Sequence, residues 1–146
     1  MLPVIEEIQQ KLAKFPDARF ESDAASITYF PSTSDGFEVR LVVRQTKIGA
    51  RYTVFYNGCH EEFSDWEEAM QEFGFGLSTD RRLREFSRFG KAYRWVTDVR
   101  NDAGDWKPNW ETTQWSGPFS QFWHRPDVRC LQNRLIDLDE GDESCV

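Results

Sequence analysis

Residues 50–67 read ARYTVFYNGCHEEFSDWE, and three local signals in that stretch decide the fold. Tyr52, Val54 and Tyr56 recur with the period of two that marks a half-buried strand. Asn57-Gly58 follows. Between two β-like runs this dipeptide specifies a two-residue type I′ hairpin, because both central residues of that turn need positive φ. The turn fixes a register in which Tyr56 opposes Cys59, Phe55 His60, Val54 Glu61, Thr53 Glu62 and Tyr52 Phe63. Tyr52, Val54, Tyr56, Cys59, Glu61 and Phe63 then share one face. Ser64-Asp65-Trp66-Glu67 comes next as a capping box, the Ser64 hydroxyl and the Glu67 carboxylate each satisfying a free backbone N–H. The helix it opens has an apolar stripe of Trp66, Ala69, Met70, Phe73 and Leu77, with Gly74 and Gly76 loosening its end.

Working toward the N-terminus, Phe37, Val39, Leu41 and Val43 alternate over residues 37–44, after a turn-rich stretch Pro31-Ser32-Thr33-Ser34-Asp35-Gly36. Phe20, Ile27 and Tyr29 sit in two short candidate strands. Val4, Ile5, Ile8, Leu12 and Phe15 recur at helical spacing between Pro3 and Pro16, which predicts an amphipathic helix over 3–15.

Toward the C-terminus, residues 82–89 and 91–100 read as a hairpin turning near Gly90. Tyr93, Trp95, Thr97 and Val99 share one face of it, and Arg94, Val96, Asp98 and Arg100 the other. Asn101-Asp102-Ala103-Gly104-Asp105 is the next turn. Trp106, Trp110, Trp115 and Trp123 are interrupted by Pro108 and Pro118, so 105–125 reads as short strands and a long irregular loop, with a last strand or helix over 127–136. The pattern is that of an α+β domain spanning 1–136: a curled antiparallel β-sheet built from hairpins, with an N-terminal helix and a mid-chain helix packed on one side.

With 146 residues the chain can bury one core but hardly two. It has no apolar run of the roughly 20 residues that a membrane helix needs, and charges and glutamines from Glu6 to Lys14 break up any leader. Three widely spaced cysteines, Cys59, Cys130 and Cys145, without CxxC, argue against a disulfide framework or zinc module and for a reducing cytoplasm. Neither a metal site nor a cofactor is expected: His60-Glu61-Glu62-Phe63 is not HExxH, and GxSxG, GxGxxG and Walker patterns are absent.

The formal charge of −7 is unevenly spread. Five acids and no base lie in 137–146, which predicts a disordered acidic tail and leaves the body at about −2. Within the body, residues 61–80 carry −7 with no Lys or Arg, and residues 81–100 carry +5. A nearly neutral body weakens a DNA-mimic role.

Glu68 and Glu72, one helical turn apart with no cation between them, repel, and a basic neighbour would offset that. The Arg81–Arg100 hairpin is one candidate and a basic partner protein the other. Size, acidity and aromatic loops are shared with many small bacterial inhibitors, immunity proteins and secretion chaperones. The expected function is therefore non-enzymatic binding of a protein partner through the acidic helix and the Trp-rich loop, with Glu68, Glu72, Trp106, Trp110 and Trp115 as contacts. No catalytic residue is assigned. A ligand or enzymatic cleft would use Glu61, whose pKa burial would raise, with His60 or His124. RNA or single-stranded DNA binding would use Arg82, Arg84, Arg88 and Arg94 among the aromatics of the hairpin.

Overall fold

The computed structural model describes residues 2–113 and 126–136. The expectations for Trp115, Trp123, His124 and the 137–146 tail lie outside the described residues. Helix α1 (Pro3–Leu12) buries Val4, Ile5, Ile8 and Leu12, the stripe expected from their spacing. It ends three residues earlier than the apolar pattern does. Lys14 and Phe15 donate to Lys11 and Leu12 in tighter i→i−3 turns, because the ring of Pro16 disfavours helical backbone at the residue before it.

Five antiparallel strands follow in chain order: β1 (Arg19–Ser22), β2 (Ser26–Phe30), β3 (Val39–Thr46), β4 (Gly49–Tyr56) and β5 (Cys59–Phe63). After helix α2 (Trp66–Gly76), the strands β6 (Arg81–Arg88), β7 (Lys91–Arg100), β8 (Trp106–Thr113) and β9 (Asp127–Leu131) form a second antiparallel sheet in the order β8-β7-β6-β9. Neither sheet is closed. One core cluster draws Val4, Ile5 and Ile8 from α1, Ala69 and Phe73 from α2, Leu41, Val54 and Tyr56 from the first sheet, and Leu83, Trp95 and Leu131 from the second. A single shared core makes this one α+β domain. Among the described residues no helix is long and apolar enough to cross a membrane.

The β4–β5 register is the one the Asn57-Gly58 turn implies, from Tyr52↔Phe63 to Tyr56↔Cys59. The turn differs in one respect. Asn57 takes φ +51°, but Gly58 does not adopt the left-handed backbone of a type I′ turn. Glycine is required there for a different reason: a Cβ would lie 2.5 Å from the Trp95 indole, which packs directly on the turn. Asn57 in turn clasps the start of β3, its N–H donating to Glu38 O and its Oδ1 accepting from Glu38 N, both at 3.1 Å.

Other expectations are corrected by local geometry. The N-cap of α2 is Asp65 and not Ser64: the Asp65 carboxylate accepts from Glu67 N at 3.1 Å, and the helix begins at Trp66. Gly76 does not loosen the helix end. It lets Tyr56 lie against the backbone, since a Cβ there would be 2.4 Å from the Tyr56 ring. On β7, Tyr93 is an extra residue between the pairs Phe86↔Arg94 and Ser87↔Ala92, and this bulge turns Tyr93 away from Trp95. Tyr93 joins Phe86 and Val96 in a separate cluster, while Trp95 enters the main core. Residues 106–113, read as part of an irregular Trp-rich loop, form the continuous strand β8. Pro108 is accommodated because β8 is an edge strand and the register shifts beside it, leaving Asn109 unpaired. Cys130 is disulfide-bonded, so the cysteines are not all free thiols and their number no longer argues for a reducing compartment.

Candidate functional site

Helix α2 is amphipathic in an unequal way. Ala69, Phe73 and Gly76 face the core, whereas Glu67, Glu68, Gln71 and Phe75 face outward. Phe75 is 44% exposed, and it lies two turns from Glu68, on the same stripe. Among the described residues neither Glu67 nor Glu68 has an ion-pair partner, whereas Glu62 on β5 is met by Arg44 and Arg51 at 3.8 and 3.6 Å. Phe75 was missed in the sequence reading. The available signal was its position outside the 66-69-70-73-77 stripe, where a large apolar side chain has no core to enter.

Glu72 is not on this surface, which corrects its assignment as a partner contact. It is 8% exposed, and its carboxylate oxygens lie 2.7 and 2.8 Å from Arg81 Nη2. Only Oε2 is aligned to accept, so Glu72 Oε1 and Arg81 Nε are buried without a hydrogen bond. Arg81 lies 5.8 Å above both the Tyr56 and the Phe75 rings, and the Tyr56 hydroxyl donates to the Glu72 carbonyl. The basic neighbour required by the acidic helix is thus Arg81 of the same chain at Glu72, and it does not reach Glu68.

Trp110 stacks on Tyr56 at 5.6 Å, with its indole N–H and Arg81 Nη1 both directed at the Asn109 side-chain oxygen. It is half-buried and packs against the core. Trp106 is also half-buried, covered by the guanidinium groups of Arg82 at 4.4 Å and Arg100 at 5.2 Å. Both tryptophans therefore serve packing within the fold.

The arginines of the second sheet are engaged in the same way. Asp98, 1% exposed, accepts from Arg82 Nε at 2.9 Å and from Arg84 through Nε at 2.7 Å and Nη2 at 2.9 Å. Arg94 pairs with Glu111 at 2.7 Å, and Arg88 lies over the Tyr93 ring at 4.6 Å. Arg84 and Arg94 do line a common cavity of about 240 Å³ beside Trp110, but their charges are already met by Asp98 and Glu111.

Glu61 and His60 do not converge. As strand neighbours they point to opposite faces: His60 is exposed against the Phe55 ring, and Glu61 turns inward toward Glu72 and Arg81. Burial raises the Glu61 pKa, the Glu72 charge raises it further, and Arg81 opposes both. Burial also pushes the Cys59 thiol up to about 11 and holds the Tyr56 phenol well above its usual value, so both are inert at neutral pH. Among the described residues, no group of three or more His, Cys, Asp and Glu is placed to hold a metal ion. Among the described residues, the outward face of α2 thus presents carboxylates without ion-pair partners beside an exposed aromatic ring. No protein-family model, curated protein or solved structure matches this chain.

Proposed function

We propose that this chain is a non-enzymatic protein-binding module, of the inhibitor, immunity or adaptor kind, that docks a basic partner surface on the outward face of α2. The observation that supports this reading is the stripe of Glu67, Glu68, Gln71 and Phe75, where unpaired carboxylates flank an aromatic ring that is 44% exposed. Exposed apolar residues scattered singly need no explanation, but an exposed Phe set among uncompensated like charges has the composition of a binding hot spot. The carboxylates would steer the partner and Phe75 would anchor it. Glu72, Trp106 and Trp110 have partners within the fold, so this reading rests on the outward stripe of α2 rather than on them.

The test is capture of partners on the tagged full chain after nuclease treatment, at low and moderate salt, with wild type, a Glu67→Lys/Glu68→Lys variant and Phe75→Ser in parallel. A stoichiometric protein retained by wild type at low salt, weakened by moderate salt and lost from both variants is the expected result. Retention of the same partner by both variants would remove α2 from the interface.

A further inference from the structure

The second half of α2 has little helical stability of its own. Residues 72–77 read EFGFGL, and Gly74 costs about 1 kcal/mol relative to alanine inside a helix. The helix has 11 residues, a length that is marginal in water, and no basic side chain in its last turn meets the negative end of its dipole. What holds this half is therefore tertiary. The Tyr56 hydroxyl donates to Glu72 O, Asn133 Nδ2 donates to Gly76 O at 2.8 Å, and Arg81 of β6 holds the Glu72 carboxylate and lies 5.8 Å from the Phe75 ring. Arg81 supplies the positive charge that the helix lacks.

This one guanidinium serves two acids. Glu61 of β5 shares a sheet face with Cys59 and Tyr56, α2 packs against that strand, and the Glu72 and Arg81 charges both act on the Glu61 carboxyl. The three groups sum to −1 when all are ionised and to zero when Glu61 is protonated. No other charge faces Glu61 among the described residues. Tyr56 of β4 and Cys59 of β5 are neutral at pH 7, and β8 brings Asn109, Trp110 and Thr112 to this side. His60 and Glu62 point to the opposite face, Asp80 pairs with Arg100, and Glu111 pairs with Arg94. The Glu72–Arg81 pair has little in reserve against an extra negative charge, because Glu72 Oε1 and Arg81 Nε are already buried without a hydrogen bond.

We propose that Glu61, Glu72 and Arg81 form a proton-operated catch on the second half of α2. With Glu61 neutral, Arg81 belongs to Glu72 alone and the helix is seated; with Glu61 charged, two carboxylates repel across one guanidinium and the segment carrying Phe75 opens more often. Burial and the Glu72 charge favour the proton on Glu61 only while the helix is seated, and opening returns Glu61 toward its ordinary 4.5. Acid therefore favours the seated state. The consequence for docking, that Phe75 is held in its seated position more fully at mildly acidic pH, rests on the reading of α2 as the docking face.

The test uses the full chain without a partner, so its failure leaves the docking reading standing, and a failed partner capture leaves the catch standing. Amide hydrogen exchange would be followed by NMR from about pH 4 to pH 8, each rate divided by its intrinsic rate, in wild type, Glu61→Gln and Glu62→Gln. In wild type, protection of the 72–77 amides should fall as pH rises through the titration of Glu61, read from its carboxyl ¹³C shift, while the amides of β4 change less. The fall is about tenfold for each pH unit by which Glu61 titrates above its open-state value. Glu61→Gln should abolish this dependence and Glu62→Gln, on the opposite face, should keep it. The proposal is overturned if the 72–77 amides show no change with the Glu61 midpoint, if they move only in step with β4, or if Glu61→Gln keeps the wild-type dependence. The two wild-type midpoints decide the matter even if Glu61→Gln fails to fold.

Discussion

Glu61 faces inward because the hairpin register puts it in line with Cys59 and Phe63, and a carboxylate in that position meets the buried Glu72–Arg81 pair. Its folded-state pKa lies above the ordinary 4.5, from burial first and the Glu72 charge second. The folded chain therefore holds the Glu61 proton to higher pH than the unfolded chain does. The stability contributed by the protonated group is complete below pH 4.5 and is lost as pH rises through the folded value. Glu61→Gln removes that loss. The variant should be more stable than wild type in urea unfolding at pH 7, with the difference closing below pH 4.5. A difference of equal size at both pH values would assign it to shape rather than charge.

At the scale of elements, the start of α2 turns on which of two adjacent side chains caps it. Asp65 accepts from Glu67 N, while Ser64 lies one residue outside the helix. Asp65→Ala should cost about 1 kcal/mol in chemical denaturation, and Ser64→Ala well under half of that. Equal losses would restore the capping box. The pattern could not choose between the two because Ser and Asp are equally good caps and either oxygen can reach a free N–H of the first turn. Strands and pairings were legible where a period of two met defined turn chemistry, as from Tyr52 through Asn57-Gly58 to Phe63. Bulges were not. The extra residue at Tyr93 puts that ring on the Phe86 and Val96 side instead of with Trp95, and the shift beside Pro108 lets a proline sit in β8, which the sequence rule reads as a break. The candidate site was legible as an acidic helix, but not in its detail: Phe75 is recognisable only once the core-facing stripe is known, and Trp106 and Trp110 are claimed by arginine and tyrosine partners distant in sequence.

Across the whole molecule, the charge blocks 61–80 and 81–100 meet inside the fold at two places. Glu72 of α2 pairs with Arg81 of β6, and Asp80 pairs with Arg100 of β7 at 2.9 Å. A sequence shows that the blocks are complementary but not which acid is taken, and here Glu72 is buried while Glu68, one turn earlier, is left at the surface. That division separates stability from binding, and it can be measured. Glu72→Gln removes the ion-pair partner of the Arg81 guanidinium, 4% exposed, leaving it only the part-buried Glu61 carboxylate nearby, and should cost about 3 kcal/mol in urea unfolding. Glu68→Gln, on the exposed face, should stay within about 0.5 kcal/mol. Replacing Glu72 and Arg81 together by Met should recover most of the Glu72→Gln loss, because removing both charges also removes the burial penalty and the two hydrogen-bonding groups now unsatisfied at Glu72 Oε1 and Arg81 Nε. If Glu72→Gln proved as mild as Glu68→Gln, water would have to reach Arg81. The α2–β6 contact would then be open in solution, and Glu72 would return to the surface that α2 presents to a partner.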